Sequence, residues 1–157
     1  MNWLPTRWWR SLRRKISRQM ALAPDERKVL WAAFLLYPPA AVSLKLLGFR
    51  ATSSWLGALL SRARRRGVVD PDSETIIRLV RLAGEQMSFR PRCLLRSLVA
   101  SHLLSWWGKE HQLRLGLARS DCRVRAHAWI EVEGVPLGDP EARQFVAFPL
   151  ETVSTSF

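Results

Sequence analysis

Two cysteines in 157 residues cannot form a disulfide framework, so a chain of this size must hold itself together by burying apolar surface. That usage fits a reducing compartment and argues against a small stapled secreted scaffold. No repeat with a period of roughly 20 to 50 residues is visible, which excludes a solenoid. Paired metal-ligand dyads are missing too. His102 and His111 flank one predicted helix end without a second ligand cluster, so no metal site is expected and no cofactor is called for. The chain also lacks an aromatic-rich ribonucleoprotein motif, and specific nucleic-acid binding therefore has no module to work through. The longest apolar run, Val29 to Leu44, is about 16 residues with two prolines inside it, short of the roughly 20 that cross a bilayer. A buried helical hairpin broken at Pro38-Pro39 is the expectation there. No small-residue cleavage pattern follows an early apolar run, so a secretory signal is not expected either.

Acids are scarce: 13 Asp and Glu stand against 25 Lys and Arg, for a net charge of +12. Residues 1–20 hold no acid at all and carry Arg7, Arg10, Arg13, Arg14, Lys15 and Arg18 interleaved with Trp3, Trp8, Trp9, Leu12 and Ile16. Such a basic amphipathic arm suits an anionic membrane surface, a membrane-bound exporter, or non-specific phosphate contact. The expected location is cytoplasmic, with the arm either solvated or touching a partner, or else holding the protein peripherally at the inner membrane surface.

What the chain does have is helix signals first and strand signals later. Pro24-Asp25-Glu26 opens a helix running through Tyr37, with Pro at the first position and acids in the first turn. Residues 40–47 form a second run ending at Gly48, and residues 54–66 a third ending at Gly67 behind a cluster of cations. Asp70 to Glu74 caps a fourth, on which Ile76, Leu79, Val80 and Ala83 share a face. Pro91 disfavours helix at Arg90, so Cys93 falls in the first turn of a fifth helix running to Trp107 and closed by Gly108. Beyond it, residues 124–132 alternate with period two. Val124, Ala126, Ala128, Ile130 and Val132 take one face of that strand, and Arg125, His127, Trp129 and Glu131 the other. Glu133-Gly134 turns the chain back, so a short hairpin returns Asp139 beside His127.

Cys93, His127 and Asp139 are thus a nucleophile, a base and an orienting carboxylate in one compact stretch. A free thiol with a pKa near 8.5 is only a few per cent ionised at neutral pH. A helix dipole contributes about 0.3 to 1 kcal/mol while one pKa unit is about 1.4 kcal/mol, so an imidazole must carry most of the activation. The imidazole in turn needs a carboxylate on its other nitrogen, a role for Asp139 with Glu131 or Glu141 as substitutes. Arg90, Arg92, Arg96 and the first-turn N–H groups would favour the thiolate. Taken singly, each residue is ordinary: a small buried thiol, a strand histidine, a turn carboxylate. Cys122, in a polar turn, reads as a structural free cysteine, and Trp106-Trp107 as packing at a helix end.

The segments Cys93-Leu94-Leu95-Arg96, Leu113-Arg114-Leu115-Gly116-Leu117, Ala126-His127-Ala128-Trp129-Ile130-Glu131 and Leu137-Gly138-Asp139 resemble the transglutaminase-like Cys-His-Asp core. They are similar in particular to the leader peptidases of lasso-peptide biosynthesis, a peptide-antibiotic pathway. The resemblance implies an α+β fold, a transglutaminase-like or papain-like core with a helical N-terminal half and a C-terminal antiparallel sheet. It also implies a cysteine protease with catalytic Cys93, His127 and Asp139, which cuts a ribosomally made precursor after its leader so that a separate cyclase can close the macrolactam. Residues 1–92 look helical and lack hairpin signals, so the leader-recognition module would be a separate protein. The expected organisation is a basic arm (1–20), a helical region packed on the core (21–92) and a catalytic core (93–157), within one globular domain. Trp129, on the His127 face, and Arg96, near the thiol, are the candidates for contacting substrate. The alternatives are a Cys-dependent acyltransferase or amidase on the same fold, or a non-enzymatic basic membrane or nucleic-acid adaptor.

Overall fold

A computed structural model describes residues 22–61, 71–89, 91–120 and 123–148. The expected basic arm, the cation cluster ahead of Gly67, Asp70, Arg90 and Cys122 lie outside the described residues. Among the described residues four helices precede a small sheet: α1 (Pro24–Leu46), α2 (Gly48–Ser61), α3 (Ser73–Gln86) and α4 (Cys93–Trp106), then β1 (Gln112–Ser120), β2 (Arg123–Val132), β3 (Val135–Pro136), a 3₁₀ turn (Pro140–Gln144) and β4 (Val146–Ala147). The architecture is α+β, as expected.

The main departure is at Pro38-Pro39. The hairpin expected over residues 29–47 is instead one continuous 23-residue helix. Each proline removes a ladder hydrogen bond and costs about 3 kcal/mol in a helix interior. Both prolines sit on the exposed side, while Val29, Ala33, Leu36, Tyr37 and Ala40 on the other side are buried at 7 % exposure or less. Tyr37 Oη also donates to Val80 O at 3.0 Å, tying α1 to α3. Tertiary packing therefore overrides the local break. The helix opens as predicted, with Glu26 accepting from Ala23 N at 3.0 Å. The next helix starts at Gly48, six residues ahead of the predicted start, because Gly48 at φ +80 turns the chain and Thr52 Oγ1 reaches back to Gly48 O at 2.7 Å. On α3, Asp72 is the N-cap and accepts from Thr75 N, and the predicted face of Ile76, Leu79, Val80 and Ala83 is fully buried.

The sheet is antiparallel with strand order β3-β2-β1-β4. β1 and β2 form a long hairpin in which Gly116 faces His127 and Leu115 faces Ala128. Glu133 (φ 52) and Gly134 (φ 77) make the tight turn into β3, both in the left-handed region such two-residue turns require. One hydrophobic core runs from Val29 on α1 to Ile130 on β2, filled by Leu56, Leu79, Leu98, Val99, Leu103 and Leu104. The opposite face of the sheet holds a second, much smaller cluster of Trp129, Ala142 and Phe145.

Candidate active site

β2 and the Gly138-Asp139-Pro140 turn build one half of the site. His127 Nε2 lies 2.7 Å from Asp139 Oδ2. Because a carboxylate only accepts, the imidazole donates from Nε2 and its Nδ1 keeps a free lone pair when neutral. Asp139 is held from both ends: Oδ2 takes the imidazole, and Oδ1 accepts from Glu141 N at 3.1 Å as the cap of the 3₁₀ turn. Gly138 makes that placement possible. It sits at φ +69, and a Cβ there would come within 2.8 Å of Ile77 on α3. Gly, then a capping Asp, then Pro at the first turn position is thus a local instruction to aim a carboxylate at the neighbouring strand.

An aromatic cluster fixes the His127 ring. Phe145 stacks on it with centroids 4.7 Å apart, Trp129 lies at 6.2 Å with an interplanar angle of 18°, and Arg125 covers Phe145 at 5.5 Å. Trp129 is 3 % exposed, and its indole N–H donates to Glu131 Oε1 at 2.9 Å, while Arg114 Nε donates to Glu131 Oε2 at 2.9 Å. Gly116 lets the indole lie flat across β1, since a Cβ there would meet the Trp129 ring at 2.7 Å and Val146 O at 2.7 Å. Glu131 is therefore engaged in holding Trp129. Glu141 is turned to Arg125 at 3.6 Å, which leaves Asp139 as the carboxylate on the imidazole.

α4 brings in Cys93 as its first residue. The thiol is half-buried and free. No side chain caps this helix start, so the first-turn N–H groups remain available to an anion. Ser97, one turn further on and on the same helix face, donates from Oγ to Ala128 O at 2.9 Å in a buried bond. That bond fastens the start of α4 to β2 one residue from His127. Among the described residues, the close pair is His127 with Asp139, and Cys93 makes no hydrogen bond to His127. Ser97 and Phe145 carry no signal in the sequence, and Gly116 and Gly138 stand in the segments that carry the resemblance without their structural roles being legible there. Gly138 alone left a local trace, in its position before an Asp-Pro pair.

Arg96 stands between two depressions. One is a cleft of about 400 Å³ lined by Arg81, Gly84, Glu85, Pro91 and Arg96, between α3 and the start of α4. The other is a narrow slot of about 40 Å³ that reaches Ser97, Trp129, Gly138 and Asp139. The described residues hold no group of three or more His, Cys, Asp or Glu side chains able to bind a metal. His102 and His111 lie elsewhere, bonded to Ser53 at 3.2 Å and Ser101 at 2.8 Å. Burial lowers His102 to about 4, with His111 adding to the effect, and burial lowers His111 as well. Both are neutral packing histidines at neutral pH.

A helix that starts at a cysteine, packed on an antiparallel sheet that carries a His–Asp pair, is the layout of thiol-dependent acyl-transfer proteins. The chain belongs to the transglutaminase-like superfamily, which it matches over residues 34–148. Cysteine proteases and acyltransferases are typical of this fold. No curated protein and no solved structure matches the chain.

Proposed function

We propose that this protein is a cysteine peptidase that removes the leader from a ribosomally synthesised lasso-peptide precursor. It acts with a separate leader-binding protein and ahead of a macrolactam-forming cyclase. The observation that carries the reading is the His127–Asp139 pair, fastened to the helix that begins at Cys93 through the Ser97–Ala128 bond. The resemblance of the Cys93-Leu94-Leu95-Arg96 and Ala126-His127-Ala128-Trp129 segments supplies the narrower substrate class.

In the proposed reaction, Nδ1 of His127 takes the thiol proton, and Sγ of Cys93 attacks the carbonyl at the leader–core junction. The resulting oxyanion is met by the free N–H groups at the start of α4. Collapse breaks the C–N bond, the imidazolium gives its proton to the leaving amine of the core peptide, and the leader stays as a thioester. Water, deprotonated by the same Nδ1, then releases the leader as a carboxylic acid and regenerates the thiol. Asp139 holds the imidazole tautomer throughout. Arg96 positions the peptide at the cleft, and Trp129 shapes the wall behind His127. The test is mass spectrometry of a precursor incubated with this protein and its leader-binding partner, wild type against Cys93→Ala. A single junction cut, absent from the variant, is expected, whereas equal cutting by both proteins refutes the peptidase reading. Interception of the thioester by added amines in preference to water would move the assignment to an acyltransferase on the same fold.

A further inference from the structure

The largest feature outside the site is a stripe along α1. Trp31, Leu35, Val42 and Leu46 succeed one another at steps of four, seven and four, so they lie on one side of the helix. They are 62 %, 72 %, 58 % and 73 % exposed, and Leu47 extends the stripe at 65 %. The opposite side is packed into the main core, so between its charged ends α1 is apolar on both sides while only one of them is used. By length and composition it is the one helix among the described residues apolar enough to cross a membrane. Crossing would pull Val29, Ala33, Tyr37 and Ala40 out of the core. It would also leave the carbonyls opposite Pro38 and Pro39 in hydrocarbon without ladder donors, whereas headgroup water can satisfy them.

Charge says what covers the stripe. No acid occurs from Arg27 to Ser61, and the exposed Arg27, Lys45 and Arg50 stand at the two ends of the apolar patch rather than within it, while Lys28 is paired with Asp25 of the first turn. The six cations of residues 1–20, with no acid among them, precede α1 in sequence, and the two acids that intervene, Asp25 and Glu26, are paired with Lys28 and Arg78. Cations at both ends of an exposed tryptophan-bearing apolar stripe form the pattern of a helix lying in the headgroup layer, where long basic side chains reach phosphates while the apolar side sinks below them. We infer that the Trp31–Leu46 side of α1 is a docking surface for an anionic lipid bilayer, with the helix lying in the interface. This does not depend on the peptidase reading.

The test is co-sedimentation of the full-length protein with vesicles of phosphatidylcholine alone or mixed with phosphatidylglycerol, for wild type and Leu35→Glu/Leu46→Glu. Binding to the anionic vesicles is expected, with at least tenfold weaker binding to the neutral ones and at least tenfold weaker binding by the double variant at an unchanged melting temperature. A second measurement needs no destabilising change: an environment-sensitive dye on Leu35→Cys, in a background lacking Cys93 and Cys122, should shift to the blue when anionic vesicles are added. Absence of wild-type binding, or a dye that keeps its aqueous spectrum while the protein sediments, overturns the inference. The second result would leave residues 1–20 as the anchor. Binding to an acidic protein in place of anionic vesicles would equally overturn it.

Discussion

The two faces of the sheet are built to opposite standards. Towards the helices, Ile130 joins a core that extends back to Val29 and is filled by leucines at zero or near-zero exposure. On the far face, Trp129, Ala142 and Phe145 make a thin layer beside His127. The thick layer supplies the hydrophobic free energy that a domain of this size needs. The thin one leaves the His127 and Asp139 side chains 14 % and 27 % exposed, open enough for a substrate to reach. The lesson is a division of labour across a single sheet, with stability on one side and, in the proposed reading, chemistry on the other, joined at Ser97.

That division can be broken from either side. Asp139→Asn should give the largest effect, lowering Cys93-dependent turnover by about 10² to 10⁴ with little change in melting temperature. Loss of stability to match the loss of activity would mean that the far face is structural after all. Leu103→Ala on the helical side should do the reverse, costing about 2 to 5 kcal/mol in denaturant unfolding while the remaining folded protein keeps its specific activity. Acid should act through the helical side as well. The unfolded chain protonates His102 near pH 6.5 but the folded protein only near pH 4, so the unfolded state binds more protons in between. Stability is therefore complete above about pH 6.5 and declines by up to about 3 kcal/mol as pH falls towards 4. Unfolding midpoints across that window check this, and a flat profile would contradict the buried neutral His102. Ser97→Ala should produce the smallest effect and the most diagnostic one. Losing the bond to Ala128 O should cost about 1 kcal/mol and also lower turnover, because that bond joins the two faces. A change in stability alone would sharpen the division to a clean separation.

The helical half was readable where a single face dominated, as on α3, because its buried positions repeat at helical spacing and Asp72 caps the start. It was misread at Pro38-Pro39, where local rules favour a break and burial of Tyr37 and Ala40 outweighs them. The β2 strand and its turn at Glu133-Gly134 were legible from alternation and turn chemistry. Phe145 was not, since nothing in a sequence marks a residue eighteen positions after His127 as the ring that will stack on it.

By itself the sequence determined the succession of helices followed by strands, the start of a helix at Cys93, the period-two strand with His127 on it, and the Gly-Asp-Pro turn. Each of these is set by interactions within a few residues. Tertiary structure alone decided that α1 continues through two prolines, that Asp139 rather than Glu131 or Glu141 meets the imidazole, and that Ser97 fastens the start of α4 to β2. Those outcomes depend on which surfaces face each other after folding, and the free energy of burying them is larger than the local preferences they override.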